Sequence, residues 1–319
     1  MAGSVTHAIF ITDIYNRLDK KHKDLLKNNI SDLRTYGQSH DVFYFSFNKR
    51  IKKMAIYAQR NKTQDYFINM IEYINKNKLN NNEYVMSYLF GNICHYCLDY
   101  NIHPFIKYKT GVYDKKNKNS FKYRGKHADM ESYIDSVLIR ERFNISPNKF
   151  DIHTYCASIT KKDNDLNNLI DYTFYKTYRI KNMSNYYYNS IKNMKIEYLL
   201  LRKDNYKIKK KIYDFIDYLT PIKFYKFSPI SLAYKKNEKD YYLNLNHEKW
   251  NHPIDKNEIY TYSVYDLYNN AINDALKILN DVSEYLDGKD INLKTIFKNI
   301  SFSTGKDCLL KSKEKYFEY

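Results

Sequence analysis

The stretch Gly91-Asn-Ile-Cys-His95-Tyr-Cys-Leu-Asp99-Tyr-Asn-Ile-His103-Pro104 places an imidazole, a carboxylate and a second imidazole at intervals of four residues. In an α-helix, residues four apart lie on one face, one turn above the other. His95, Asp99 and His103 would then form a row of nitrogen and oxygen donors, which are typical ligands of a divalent metal ion. The same spacing is found in ordinary surface ion pairs, so the row by itself is a hypothesis of metal binding.

The flanking residues predict a long helix over 83–100, with apolar side chains at helical spacing on one face. Gly91 falls inside this helix, where glycine costs about 1 kcal/mol relative to alanine. Its presence indicates close approach by a neighbouring helix or by a ligand. Pro104 discourages continuation of the helix, and the basic segment 107–126 is predicted to be a surface loop.

A second pair with the same spacing, His127 and Glu131, begins a predicted helix over 127–142. Two further candidate ligands precede the central helix. His7 belongs to a helix predicted over 6–28, and Asp41 follows His40 at the start of an aromatic run. Chemistry that depends on a metal ion is therefore the first hypothesis for this chain.

Composition predicts an all-α protein. The 319 residues are 43% hydrophobic, which is typical of a globular chain, but they include only 7 Gly and 5 Pro. Sheet proteins with many tight turns need more of both, so long helices joined by polar loops are expected. A further amphipathic helix is predicted over 262–286, ahead of Gly288. We expect one all-helical domain over 1–287 and a polar C-terminal extension over 288–319.

The net charge of +17 favours anionic partners. A phosphate-bearing substrate would be attracted, and weak affinity for nucleic acid or for an anionic membrane is expected. The basic residues are spread along the chain and are mostly lysine, so the base composition of the gene explains the excess better than a dedicated nucleic-acid surface. No secretory signal and no run of about 18 apolar residues is found, which predicts a cytoplasmic protein without a transmembrane segment.

Taken together, the motifs resemble those of the bacterial zinc-dependent phospholipase C family. That family has a Gly-x-x-Thr-His segment, matched by Gly3 to His7, and a Gly-x-x-x-Asp segment before aromatics, matched by Gly37 to Phe45. The Gly91 to Pro104 block is the most specific match, and His127 with Glu131 completes the order. The resemblance implies a bacterial hydrolase with an all-helical fold, two or three Zn²⁺ ions and a phosphodiester substrate, such as a phospholipid.

Carried over to this chain, the resemblance implies three zinc sites. One would use Asp41, His95 and Asp99, and another His103, His127 and Glu131. His7 and the N-terminal backbone would hold the third, with Asp99 as a bridge. Asp41 would also be the catalytic carboxylate.

The family has one more histidine, between the positions of Asp41 and His95. This chain has none there, and the nearest match is Gln59, a poorer zinc ligand.

Three functions remain open from the sequence. The first is a phosphodiesterase of the phospholipase C type. Phe43, Tyr44, Phe45 and Tyr66 would then line its pocket and suit a quaternary ammonium head group, unless they are core residues. The second is a single-strand nuclease, because fungal nucleases share this order of ligands. The third is a family member that binds metal without catalysis, as the residue at Gln59 suggests.

Overall fold

The computed structural model describes residues 3–159, 161–222, 224, 226–232, 239–310 and 313–318. The chain is all-α, as predicted, and the α-helices are α1 (Ser4–Tyr15), α2 (Lys20–Leu26), α3 (Ile30–Tyr36), α4 (Lys49–Ala58), α5 (Thr63–Lys76), α6 (Glu83–Thr110), α7 (Lys126–Phe143), α8 (Ile152–Cys156), α9 (Asn164–Tyr178), α10 (Met183–Glu197), α11 (Ile208–Leu219), α12 (Lys239–Leu243), α13 (Val264–Leu286) and α14 (Leu293–Ile296).

Shorter elements join these helices. Two-residue strands, β1 (Trp250–Asn251) and β2 (Ile259–Tyr260), pair antiparallel with Trp250 opposite Tyr260. A π-helical turn, Tyr198–Arg202, extends α10. The 3-10 helices are Lys27–Asn29, Ser39–Phe45, Lys118–Tyr123, Pro147–Lys149 and Ser228–Ile230.

Helix α6 is the centre of the molecule, and α1, α3, α7 and α13 pack around it. Asn82 caps its start, because the Asn82 side chain accepts hydrogen bonds from the backbone N–H groups of Tyr84 and Val85. Side chains on every face of α6 are buried, so tertiary packing stabilises it along its whole length.

The helix does not end at Pro104 but continues to Thr110. Packing around α6 outweighs the local effect of one proline, so the expectation that the helix would stop there is wrong. The first residues of the predicted basic loop are consequently helical and buried. Lys107 and Lys109 are 6% and 3% exposed, and they form ion pairs with Glu314 and Glu318.

Gly91 allows α6 to approach the end of α3. A Cβ atom at Gly91 would lie 2.7 Å from the backbone nitrogen of Gly37 and 2.9 Å from the carbonyl carbon of Tyr36. The close approach that the sequence indicated is therefore made by the backbone of a neighbouring helix. It places the 3-10 helix Ser39–Phe45 beside the row of polar residues on α6.

The residues after α13 pack against this core. Phe297 and Phe302 are buried, and the rings of both stack on Phe67 of α5. Among the described residues, no helix is long and apolar enough to cross a membrane.

Candidate metal centre

Four segments bring the predicted ligands to one region of the interior. Helix α1 carries His7 and the 3-10 helix Ser39–Phe45 carries Asp41, while α6 and α7 supply the remainder: His95, Asp99, His103, His127 and Glu131. Five of the seven residues are less than 9% exposed, and His127 and Glu131 are partly exposed.

The first group consists of His7, His95 and Asp99, which offer ligand atoms within 4.8 Å of one another. Asp99 Oδ1 is 3.3 Å from Nε2 of His7, and Asp99 Oδ2 is 3.2 Å from Nε2 of His95. The two imidazole rings stack with centroids 4.0 Å apart. All three side chains are completely buried, so this group is a closed pocket of two nitrogen donors and one carboxylate.

The second group consists of His103, His127 and Glu131, and its ligand atoms also lie within 4.8 Å of one another. Nε2 of His127 is 2.9 Å from Oε1 of Glu131, one helical turn away on α7. The ring of His103 faces that of His127 at an interplanar angle of 29°, with centroids 5.9 Å apart. This group is nearer the surface, since the His127 side chain is 36% exposed.

Asp99 lies between the two groups. Its Oδ1 is 3.3 Å from His7 Nε2 and 3.6 Å from His103 Nδ1, while Oδ2 faces His95. Because Oδ1 meets Nδ1 of His103 and not Nε2, the contact shows that the two groups are adjacent.

Backbone carbonyls orient two of the imidazoles. Nδ1 of His95 lies 2.9 Å from the carbonyl oxygen of Gly37, and Nδ1 of His103 lies 2.9 Å from that of Phe302. A carbonyl only accepts, so in each ring Nδ1 carries the proton and Nε2 is left as the donor atom for a metal. Metal-binding histidines are held in this way in proteins generally.

Several buried ring nitrogens make no hydrogen bond to any described residue, and they indicate whether a metal ion fits these two groups. Within the described part of the chain, Nε2 of His103, Nε2 of His95 and both ring nitrogens of His7 are buried and make no hydrogen bond. Such atoms are costly to bury unless something binds them. Nitrogen and carboxylate donors in groups of three match the preferences of Zn²⁺, so the residues fit this ion.

The protonation states of His7, His103 and Asp99 suit metal binding. Burial lowers the pKa of His7 to about 4 and that of His103 to about 3, so both imidazoles are neutral near pH 7. Burial opposes ionisation of Asp99, but His103 and His95 hold the pKa of that carboxyl well below its usual range. Burial likewise opposes a charge on His95, but Asp99 and Asp41 outweigh it and raise its pKa above the ordinary value, so a metal ion at this ring competes with a proton. Neutral imidazoles and ionised carboxylates are the forms that bind metal.

Asp41 lies beside the first group rather than in it. Its Oδ1 is 3.9 Å from Nε2 of His95 and accepts a hydrogen bond of 2.5 Å from the Gln59 amide. Gln59 in turn accepts a hydrogen bond from the Tyr44 hydroxyl. Burial raises the pKa of Asp41 to about 7. The structure therefore places Gln59 next to Asp41, where the resemblance implies a histidine.

Asp135 is part of this site and was not singled out from the sequence. It is buried on α7 and accepts hydrogen bonds from the backbone N–H groups of Val5 and Thr6, at 3.4 and 2.8 Å, and from the Thr6 hydroxyl at 2.7 Å. It thereby caps the start of α1, which carries His7. Asp135 follows Glu131 by four residues, and the repeated spacing after His127 was the available signal.

A cavity of about 120 Å³ adjoins the candidate ligands and is lined by both Asp41 and Glu131. Tyr44 and Phe45 contribute to its wall, but Phe43 and Tyr66 do not. Those two rings are 1% exposed and belong to the hydrophobic core. The predicted aromatic wall is thus half present, and its other members are core residues.

Two other histidines are buried, although the lysine-rich sequence around His22 and the polar residues beside His40 predict a surface position. His40 and His22 are 1% and 8% exposed. His40 packs edge-on against Phe174 and Phe302, and His22 contacts Asp19 and Ser283 at 2.8 and 2.7 Å. Both surface predictions are wrong, because local lysine-rich or polar sequence does not reveal tertiary burial.

The fold and these groups define an all-α protein with a candidate metal centre inside the helical bundle. Comparison with protein families gives a match to the zinc-dependent phospholipase C family over residues 6–188, more than half of the chain. The chain belongs to this family. Comparisons with curated proteins and with solved structures gave no match.

Proposed function

We propose that this chain is a zinc-dependent phosphodiesterase, which hydrolyses the phosphodiester of a phospholipid or related substrate. Membership of the family supports the general class of chemistry. The observation that carries the proposal is the convergence of two adjacent donor groups: His7, His95 and Asp99 in one, His103, His127 and Glu131 in the other.

In this proposal each group holds one zinc ion, and Asp99 belongs to the first. Bound zinc would supply Lewis acidity towards the phosphoryl oxygens and would lower the pKa of coordinated water. A third ion, which the resemblance implies, would need donors beyond these groups. Within the described residues, only two separate groups of three His, Cys, Asp or Glu ligands are found.

Asp41 is the proposed catalytic carboxylate. Its side chain lines the cavity, and burial raises its pKa to about 7, which suits a group that accepts a proton near neutral pH. Gln59 fixes the orientation of the carboxylate by donating to Oδ1. In this role Asp41 would accept the proton of the attacking water, and the other carboxylates would remain ligands.

Tyr44 and Phe45 would position the substrate and limit access of water to the site. Both line the cavity, and the Tyr44 hydroxyl is linked through Gln59 to Asp41. A change in the position of Tyr44 would therefore alter the orientation of the Asp41 carboxylate, the proposed base.

Turnover of mixed micelles of phosphatidylcholine, and of bis(4-nitrophenyl) phosphate, tests the proposal. We expect hydrolysis that EDTA abolishes and that added Zn²⁺ restores. Asp41→Asn should lower turnover by about 100-fold or more, the usual range for loss of a general base.

The net charge of +17 favours a second candidate function, that of a single-strand nuclease with the same fold. Zinc-dependent cleavage of a single-stranded oligonucleotide, without turnover of lipid, would establish that alternative. Bound zinc with no turnover of any diester would instead support a family member that binds metal without catalysis, as the glutamine beside Asp41 suggests.

A further inference from the structure

We infer that the substrate carries a second anionic group in its head group, recognised by Arg202 and Lys226 on the wall of the cavity beside the candidate metal centre. This inference rests on the proposed function and concerns the substrate class of the same site. Arg202 and Lys226 both line the cavity that Asp41 and Glu131 also line.

The acidic residues of this cavity are already engaged by other groups. Asp41 accepts a hydrogen bond from Gln59, and Glu131 lies 2.9 Å from His127. Asp135 accepts three hydrogen bonds from the start of α1. These carboxylates therefore have partners that do not depend on a bound substrate.

Neither cation forms a salt bridge with a residue that the structure describes, although the charge of Arg202 opposes the effect of burial, which raises the pKa of Asp135 and Glu197. Nε of Arg202 is buried and makes no hydrogen bond to any residue that the structure describes. Lys226 forms no ion pair within the described ranges, and its aliphatic part lies against Gly125, where a Cβ atom would be 2.5 Å from Cδ. A buried, unsatisfied guanidinium nitrogen is costly and is a strong donor to carboxylate or phosphate oxygens.

The arrangement of the aromatic rings in the cavity disfavours binding of a quaternary ammonium group. The guanidinium of Arg202 lies over the ring of Tyr198, 4.9 Å from its centroid, and Phe45 packs edge-on against Tyr198 at 5.4 Å. Tyr198 already has a cationic neighbour, so a second cation at this ring would meet the positive charge of Arg202.

The site therefore favours a phosphodiester whose alcohol bears a carboxylate or an additional phosphate. Phosphatidylserine and phosphatidylethanolamine form a matched pair, because they differ only by a carboxylate. Phosphatidylinositol 4-phosphate and phosphatidylinositol form a second pair, which differs by a phosphate. The two pairs distinguish the two possible sources of negative charge.

The test compares kcat/KM within each pair, in neutral-detergent micelles with the zinc-loaded protein. We expect about tenfold or greater preference for the acidic member of at least one pair, the size that one charge-assisted hydrogen bond supplies. Arg202→Gln should lower this ratio about tenfold. Lys195→Gln, which removes the same charge from an exposed position on α10 outside the cavity, should leave the ratio as it is.

The inference would be overturned if phosphatidylethanolamine were turned over as well as or better than phosphatidylserine, and phosphatidylinositol as well as or better than its 4-phosphate. An equal effect of Arg202→Gln on both members, or preferential cleavage of a single-stranded oligonucleotide, would also overturn the inference. Lys226→Gln is measured in parallel, and melting temperature and zinc content are recorded for each variant, so a folding defect in one variant is recognised.

A binding measurement separates this inference from the proposed function. Calorimetry with zinc-free protein should show tighter binding of glycerophosphoserine than of glycerophosphoethanolamine, and Arg202→Gln should remove the difference. Equal binding of the two would contradict the inference even if bis(4-nitrophenyl) phosphate is hydrolysed. The reverse result, preferential binding without zinc-dependent turnover of any diester, would contradict only the proposed function.

Discussion

The side-chain amide of Gln59 donates a hydrogen bond to Oδ1 of Asp41, at 2.5 Å. The resemblance to the zinc-dependent phospholipases implies a histidine ligand in this part of the site, and glutamine is a poorer zinc ligand. An amide N–H that points at Asp41 cannot donate an electron pair to a metal. Gln59 thus orients a buried carboxylate, which in the proposed function acts as the proton acceptor.

Asp41→Asn should stabilise the metal-free protein at alkaline pH. Burial raises the folded-state pKa of Asp41 from 3.8 to about 7, so the neutral carboxyl contributes stability at low pH that is lost as pH rises through that range. Because an asparagine side chain does not ionise, the variant does not lose this stability at high pH.

In EDTA at pH 8, we expect Asp41→Asn to melt at least about 3 °C above wild type, since 1 kcal/mol corresponds to roughly 2–4 °C in chains of this size range. The difference should grow between about pH 4 and 7 and then level off. Asp290→Asn, at an exposed position, is the control and should show no such trend. A melting temperature equal to or below wild type at pH 8 would contradict the assignment.

Asp135→Ala should loosen the start of α1. The carboxylate accepts hydrogen bonds from Val5 and Thr6, and without it the backbone N–H groups of a buried helix terminus lose their partner. Loss of such an acceptor costs about 1–3 kcal/mol.

Urea denaturation should show this decrease in the free energy of unfolding, and zinc affinity should fall because α1 carries His7. Asp135→Asn keeps one acceptor oxygen and should have a smaller effect on both quantities. Stability of Asp135→Ala within about 0.5 kcal/mol of wild type, the range typical of surface substitutions, would rule out this role for Asp135.

Phe302→Ala should destabilise both the core and the second donor group. The ring is 1% exposed and contacts His40, His95 and Tyr96, so its removal leaves a cavity that costs about 3–5 kcal/mol. The carbonyl of Phe302 also orients His103, so zinc affinity should decrease.

Leu309→Ala is the matched control in the same C-terminal segment, because Leu309 is 80% exposed. Thermal melting and competition for zinc with a chelator measure the two effects. Similar melting temperatures for the two variants would show that Phe302 does not support the core.

The all-helical fold was predictable because composition and helical spacing are local properties. The rows His95, Asp99, His103 and His127, Glu131 each occupy one helix face, so the sequence reveals their proximity within a helix directly. Gly91 also indicated a close approach correctly, although only the folded structure identifies Gly37 as the partner.

Contacts between distant segments could not be predicted. The carbonyl of Phe302 orients His103 across 199 positions of the chain, and the Phe302 N–H donates to the carbonyl of Gln59. Residues 288–319 were expected to form a polar extension, yet this segment supplies both contacts. No local pattern shows which backbone carbonyl will meet a given imidazole, and burial of His22 and His40 depends on the same kind of long-range packing.

Zinc content per chain tests the central claim most directly. The protein is loaded with Zn²⁺, freed of excess ion and analysed by elemental mass spectrometry. We expect at least about two zinc ions per chain, one for each donor group. His7→Ala and the double variant His127→Ala/Glu131→Ala should each lose about one equivalent and melt at a lower temperature, since metal bound only by the folded state stabilises it. Less than one zinc per wild-type chain, or unchanged zinc content in both variants, would contradict a zinc cluster at these residues.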